Sequence, residues 1–139
     1  MVFSKVNYDS LTPKWQEIYN FHKLSAVMVE YGFNCIKLID DWKGADLLAY
    51  QKDSGDCLRI QLKGRITIDK KYIGQSLYMA FPVPDVGWCI VEHDKLIEII
   101  GVHTNWLHSE SWKEKGAYHA KKPKRELIDA LSHQILPYP

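Results

Sequence analysis

Two runs in the first half of the chain mix apolar and polar positions as half-buried strands do: Ala45-Asp46-Leu47-Leu48-Ala49-Tyr50 and Cys57-Leu58-Arg59-Ile60-Gln61-Leu62-Lys63. Between them lies Lys52-Asp53-Ser54-Gly55-Asp56, a cluster of turn-forming residues, so the pair reads as a β-hairpin. Because strand side chains alternate, Leu58, Ile60 and Leu62 go to one face, and Gln61, Lys63 and the following Arg65 to the other. A turn centred on Ser54-Gly55 opposes Asp46 to Lys63, whereas a turn centred earlier opposes it to Gln61. Directly opposed residues share a face, with Cβ atoms about 4.5–5.5 Å apart. In either register one carboxylate, one amide and one ammonium converge on a small polar site.

The remaining pattern supplies a scaffold. Leu11-Thr12-Pro13 reads as a helix start, with Thr12 as N-cap and Pro13 at the first helical position, where its missing N–H costs nothing. The helix is expected over residues 13–31 and stops at Gly32. Phe21, Leu24 and Met28 form its apolar stripe, and Glu17 lies in line with them one turn earlier. Residues 33–39 read as a strand and Asp40-Asp41-Trp42-Lys43-Gly44 as a polar bend. Beyond Arg65, extended runs are expected at residues 66–68, 77–81 and 87–92, with a break at Pro82-Val83-Pro84-Asp85. A short helix follows over residues 94–100. Residues 103–118 show no period. A last helix over residues 124–136 carries Leu127, Ile128, Leu131 and Ile135 on one face.

The chain has 139 residues, enough for one domain with its own core, and no internal repeat or low-complexity segment. It is 46% hydrophobic and 25% charged, as ordinary soluble proteins are. Its apolar stretches are too short to span a bilayer, and its amino terminus has no basic region followed by an apolar run, so a cytoplasmic location is expected. Cys35, Cys57 and Cys89 are odd in number and widely spaced, which points to buried thiols rather than disulfides or a zinc site. The six histidines are scattered, without the paired spacing of a zinc hydrolase, and no nucleophile elbow, phosphate-binding loop or dinucleotide fingerprint is present. His93-Asp94, at a strand-to-helix junction, reads as a capping feature.

The order helix, strand, Asp-bearing strand and Q-x-K strand resembles the PD-(D/E)XK nuclease superfamily, which includes many restriction enzymes and resolvases. The motif here is Ala45-Asp46, a spacer of residues 47–60, and Gln61-Leu62-Lys63. Ala45 stands where the family has proline, and Gln61 where it more often has glutamate, a variant seen in some restriction enzymes and homing endonucleases. The resemblance covers residues 14–63 with useful specificity and the rest only loosely. It implies an α/β, restriction endonuclease-like core: a mixed β-sheet flanked by helices, in the order αβββ followed by further strands and helices. It also implies a metal-dependent DNA endonuclease using Mg²⁺ or Mn²⁺. Asp46, the Gln61 side-chain oxygen and the Leu62 carbonyl would be the metal ligands, and Lys63 would hold the scissile phosphate. Glu17 would complete the site, or else lie in solvent beyond the edge of the core.

Net charge is +1, so attraction to a polyanion has to come from local charge. Lys43, in the bend before the Asp46 strand, and Arg65, Lys70 and Lys71, just after Lys63, are the expected DNA contacts. The second basic run, Lys121-Lys122-Pro123-Lys124-Arg125, reads as a solvated loop. Cutting both strands with one site each calls for a homodimer. The alternative, favoured by Gln61 and the near-neutral charge, is a catalytically weak or inactive nuclease-fold module that binds nucleic acid or protein.

Overall fold

Thr12 and Pro13 start the first helix as the sequence predicts. In the computed structural model, which describes residues 1–139, α1 spans Pro13–Val29, and the Thr12 hydroxyl accepts the Trp15 N–H at 3.3 Å. Gly32, at φ +84°, turns the chain into β1 (Phe33–Trp42). β1, β2 (Ala45–Gln51) and β3 (Cys57–Leu62) form an antiparallel meander. β1 runs through the segment expected as a bend. Lys43 and Gly44, at φ +50° and +91°, make the two-residue turn that brings Trp42 opposite Ala45. The register shifts between Lys37 and Trp42, so residues 38–41 are an irregular stretch inside a strand rather than a loop.

After Arg65 the chain leaves this sheet. β4 (Ile66–Asp69) pairs with β7 (Ala117–Ala120) in a separate two-stranded sheet, while β5 (Tyr78–Val83) returns to lie parallel to β3. β6 (Gly87–Glu92) follows antiparallel to β5, and α2 (His93–His103) leads away from it. α3 is only Arg125–Ala130. Its expected last turn is replaced by β8 (Ile135–Pro137), which pairs with β6, so Ile135 reaches the core from a strand. Backbone N–H and C=O groups on the open edge of β6 need partners, and β8 supplies them. Gly87 permits this approach, since a Cβ there would collide with the Leu136 carbonyl.

The fold is therefore α/β, with a six-stranded mixed sheet in the order β1-β2-β3-β5-β6-β8 flanked by helices. Leu24, Val27 and Met28 of α1 pack against Leu47, Ala49, Ile60, Ala80 and Trp88. A larger core joins Met79, Phe81, Cys89 and Val91 of the sheet to Ile66 and Ile68, to Leu96 and Ile100 of α2, and to Leu127 and Leu131. No helix is long and apolar enough to cross a membrane. Of the three thiols, Cys89 is buried, Cys35 partly buried, and Cys57, at the start of β3, exposed rather than buried as expected.

His93 is buried and ties the second sheet to α2. Its Nε2 accepts the Asp69 N–H at 3.1 Å, its Nδ1 lies 3.3 Å from Asp94 Oδ1, and Asp94 Oδ2 accepts the Gly74 N–H at 3.0 Å. Burial pushes its pKa down, so the ring is held neutral with its proton on Nδ1.

Candidate active site

Asp46 is the second residue of β2 and Gln61 the second-last of β3, at the same end of the sheet. Leu47 pairs with Ile60, which brings Asp46 opposite Gln61 and selects the earlier-centred turn of the two considered from sequence. Gln61 Nε2 donates to Asp46 Oδ2 at 3.3 Å, and the Leu62 N–H donates to Asp46 Oδ1 at 3.1 Å. In an extended strand a residue's carbonyl leaves on the same side as its N–H, so the Leu62 peptide presents both groups to this end of β2. Lys63 follows, its N–H bonded to the Ala80 carbonyl at 2.8 Å.

These residues line one cleft of about 430 Å³. Lys63 shares it with Lys14 and Lys37, and Asp46 with Glu17, Asp40 and Asp41; residues 38–41 of the irregular β1 stretch form one wall and α1 another. Glu17 thus reaches the cleft, but its side chain is 67% exposed and lies 3.9 Å from Lys14. No three His, Cys, Asp or Glu side chains are grouped closely enough to hold a metal ion. A cation held at Asp46 would therefore rely on amide and peptide oxygens for its other protein ligands.

The basic residues expected beside the site divide. Lys43 and Lys71 line a second groove that adjoins the cleft through Asp41, which borders both. Lys71 also lies 3.8 Å from Asp69, with its ammonium 5.2 Å from the centre of the Tyr72 ring. Lys70 lies over Trp112, at 5.3 Å from the ring centre, and lines neither cavity. Arg65 is exposed and also lies outside both linings.

Two contributors escape a reading by motif. Lys37 pairs with Leu47, next to Asp46, and its charge favours the ionised carboxylate. The signal lay in the β1–β2 register. Arg59 reaches the carbonyls of Trp42 (3.5 Å), Lys43 (3.4 Å), Gln75 and Ser76, and stacks on Trp42 at 5.4 Å. It fastens the turn that starts β2 to the segment before β5.

Burial pushes the Asp46 pKa up to about 6, against the Leu62 N–H and the lysines Lys37 and Lys63, which pull it down. A carboxyl whose pKa is raised on folding stabilises the fold below its unfolded value, and that contribution is lost as pH rises through about 6. Asp46→Asn keeps an oxygen for the Leu62 N–H and carries no charge. In metal-free buffer it should be more stable than the parent by about 1–2 kcal/mol at pH 8, after discounting for partial exposure, and gain nothing at pH 4. Thermal melts at the two pH values check this; an equal difference at both would show that the Asp46 charge is not under strain.

What fold and site define together is an α/β protein with a polar cleft where two adjacent strands end. No protein-family model matches the chain, and no curated protein matches it in sequence. Among solved structures it is similar to a Holliday junction resolvase of Archaeoglobus fulgidus, with 14% identity and a TM-score of 0.45 over 57% of this chain and 74% of that one. It is also similar to a bacterial homing endonuclease, with 13% identity and a TM-score of 0.48 over 82% of this chain and 78% of that one.

Proposed function

We propose that the protein is a metal-dependent DNA endonuclease that cleaves phosphodiester bonds at the Asp46 cleft. The observation that carries this reading is the meeting of Asp46, Gln61, the Leu62 peptide and Lys63 at one strand end. Carboxylate, amide and peptide oxygens are the hard donors that Mg²⁺ or Mn²⁺ takes, with waters completing the octahedron. The donor set also suits a cation electrostatically. A half-buried carboxylate with a pKa raised to about 6 gains from a positive charge beside it. Such a cation would supply charge neutralisation at the phosphate and a bound water more acidic than bulk water.

The chain's own groups do the rest. Asp46 must be ionised to hold the cation. Gln61 must turn its amide so that Oε1 rather than Nε2 faces the site, a rotation that gives up one hydrogen bond. The Lys63 ammonium binds the scissile phosphate, orients the attacking water and offsets negative charge as the pentavalent phosphorus forms. Lys37 adds positive charge on the β1 side. Lys43 and Lys71, in the adjoining groove, lie where the strand would continue, and two copies of the chain would cut two strands. Glu17 serves this reading only if it leaves Lys14.

The expected result is nicking of supercoiled plasmid DNA in Mg²⁺ or Mn²⁺ and none in EDTA. Intact plasmid under all three conditions, from protein whose fold is verified by circular dichroism, would refute the catalytic reading. One observation favours a weak or inactive DNA-binding module instead. Gln61 Nε2 already occupies Asp46 Oδ2, as it would in a chain that has exchanged metal binding for a hydrogen bond. Retained DNA binding without cleavage is the outcome that module would give.

A further inference from the structure

On the other side of Asn20 and Gly64 from the cleft lies a second pocket, of about 530 Å³, and both of these residues line the two cavities. It is aromatic where the cleft is charged. Trp88 is buried behind it, and Tyr8, Tyr19 and Tyr138 line it, the last two 43% and 40% exposed. Tyr8 and Tyr19 meet edge to face at 5.1 Å, and the Asn20 amide donates to the Tyr8 hydroxyl at 2.9 Å, so this wall is already fixed. Lys23, its ammonium 5.3 Å over the Tyr19 ring, and Glu30 bring one charge of each sign to the lining, so the pocket's attraction for a base rests on its aromatic rings.

Asn20 and Gly64 form the boundary between the cavities. Gly64 follows Lys63 directly and carries no side chain, and a Cβ there would stand 3.7 Å from the Asn20 amide, an ordinary contact. A nucleotide whose phosphate lies against Lys63 therefore finds an aromatic pocket on the far side of Gly64, and bases bind such walls by stacking without regard to sequence. A base paired within a duplex cannot enter. Extruding one costs a few kcal/mol, and least for a base that is bulged, mismatched or single-stranded.

We infer that this pocket receives an unpaired nucleobase of the DNA strand whose phosphate lies against Lys63. The substrate is then DNA with a bulged, mismatched or single-stranded nucleotide at the scissile step. The inference rests on the nuclease reading and names its substrate class. Continuity with the phosphate site favours a nucleotide over a second copy of the chain, which would fill the pocket without need of Lys63.

The test compares two labelled duplexes, identical except for a single-nucleotide bulge, by fluorescence anisotropy with Ca²⁺ in place of Mg²⁺. The parent protein should bind the bulged duplex about tenfold more tightly, as one stacked base allows. Tyr19→Ala and Tyr138→Ala should each reduce that preference to about twofold while leaving affinity for the paired duplex unchanged. Tyr19 and Tyr138 are both partly exposed, at 43% and 40%, so the fold should survive both changes. Equal affinity of the parent for the two duplexes would overturn the base pocket and leave the nuclease reading standing. So would variants that keep the preference but lower the sedimenting mass, which would give the pocket to a second copy. Binding to neither duplex would bring down both readings.

Discussion

Asp46→Ala and Lys63→Ala should each lower metal-dependent DNA cleavage by at least about 100-fold, the scale of losing one pre-organised group that stabilises transition-state charge. Asp46 is the only carboxylate bonded to the Leu62 peptide and Gln61, so its loss removes the single anionic anchor for a cation at that spot. On the proposed reading Lys63 follows directly on the Gln61–Leu62 strand end where charge would develop, whereas Lys37 shares the cleft from β1. Both side chains line an open cleft and neither supports the core, so truncation leaves no large cavity. The Asp46→Ala protein loses the acceptor for the Leu62 N–H, at a cost of about 1 kcal/mol, which shedding the strained charge offsets at pH 8. Plasmid-nicking rates together with thermal melts check the pair. Cleavage that survives either substitution would place the chemistry elsewhere.

Gln61→Glu should tighten Mn²⁺ binding by about tenfold or more and raise the cleavage rate at limiting metal, since each decade of affinity needs only about 1.4 kcal/mol. The register puts the new carboxylate opposite Asp46, where Gln61 Nε2 now reaches Oδ2. Without metal, two carboxylates there repel, and one of them takes up a proton with a pKa above that of Asp46 alone. The variant should therefore be less stable than the parent in EDTA at pH 8, and should recover that loss in Mn²⁺ or at acid pH, where one carboxyl is neutral. Calorimetric titration of Mn²⁺ into both proteins decides the matter. Equal affinities would show that residue 61 does not touch the cation.

The parts of this picture that were legible in the sequence are those that local chemistry dictates. Thr12-Pro13 marks a helix start, and Lys52 to Asp56 a turn. The alternation in β3 separates Ile60 from Gln61 whatever the chain does later. The register was legible only to within two choices, because the turn residues do not reveal how many of them stay unpaired, and only the pairing of Leu47 with Ile60 decides it. The elements misread are held by distant partners. β4 pairs with residues about fifty positions away, and Ile135 and Leu136 look helical by their period until the edge of β6 claims them. Asp40-Asp41-Trp42-Lys43-Gly44 reads as a bend by composition, but β1 runs on to Trp42, and two consecutive positive φ values at Lys43 and Gly44 make a hairpin turn. Lys37 and Arg59 act across strands, so they become visible only once the register is known.

Diffraction at the manganese edge from crystals soaked in Mn²⁺ tests the central claim most directly. The expected result is an anomalous peak about 2.2 Å from a carboxylate oxygen of Asp46, with the Gln61 amide turned to present Oε1 and the Leu62 carbonyl within reach of the ion. A cleft without a peak at Mn²⁺ concentrations that support DNA cleavage, with Gln61 Nε2 still bonded to Asp46, would contradict it.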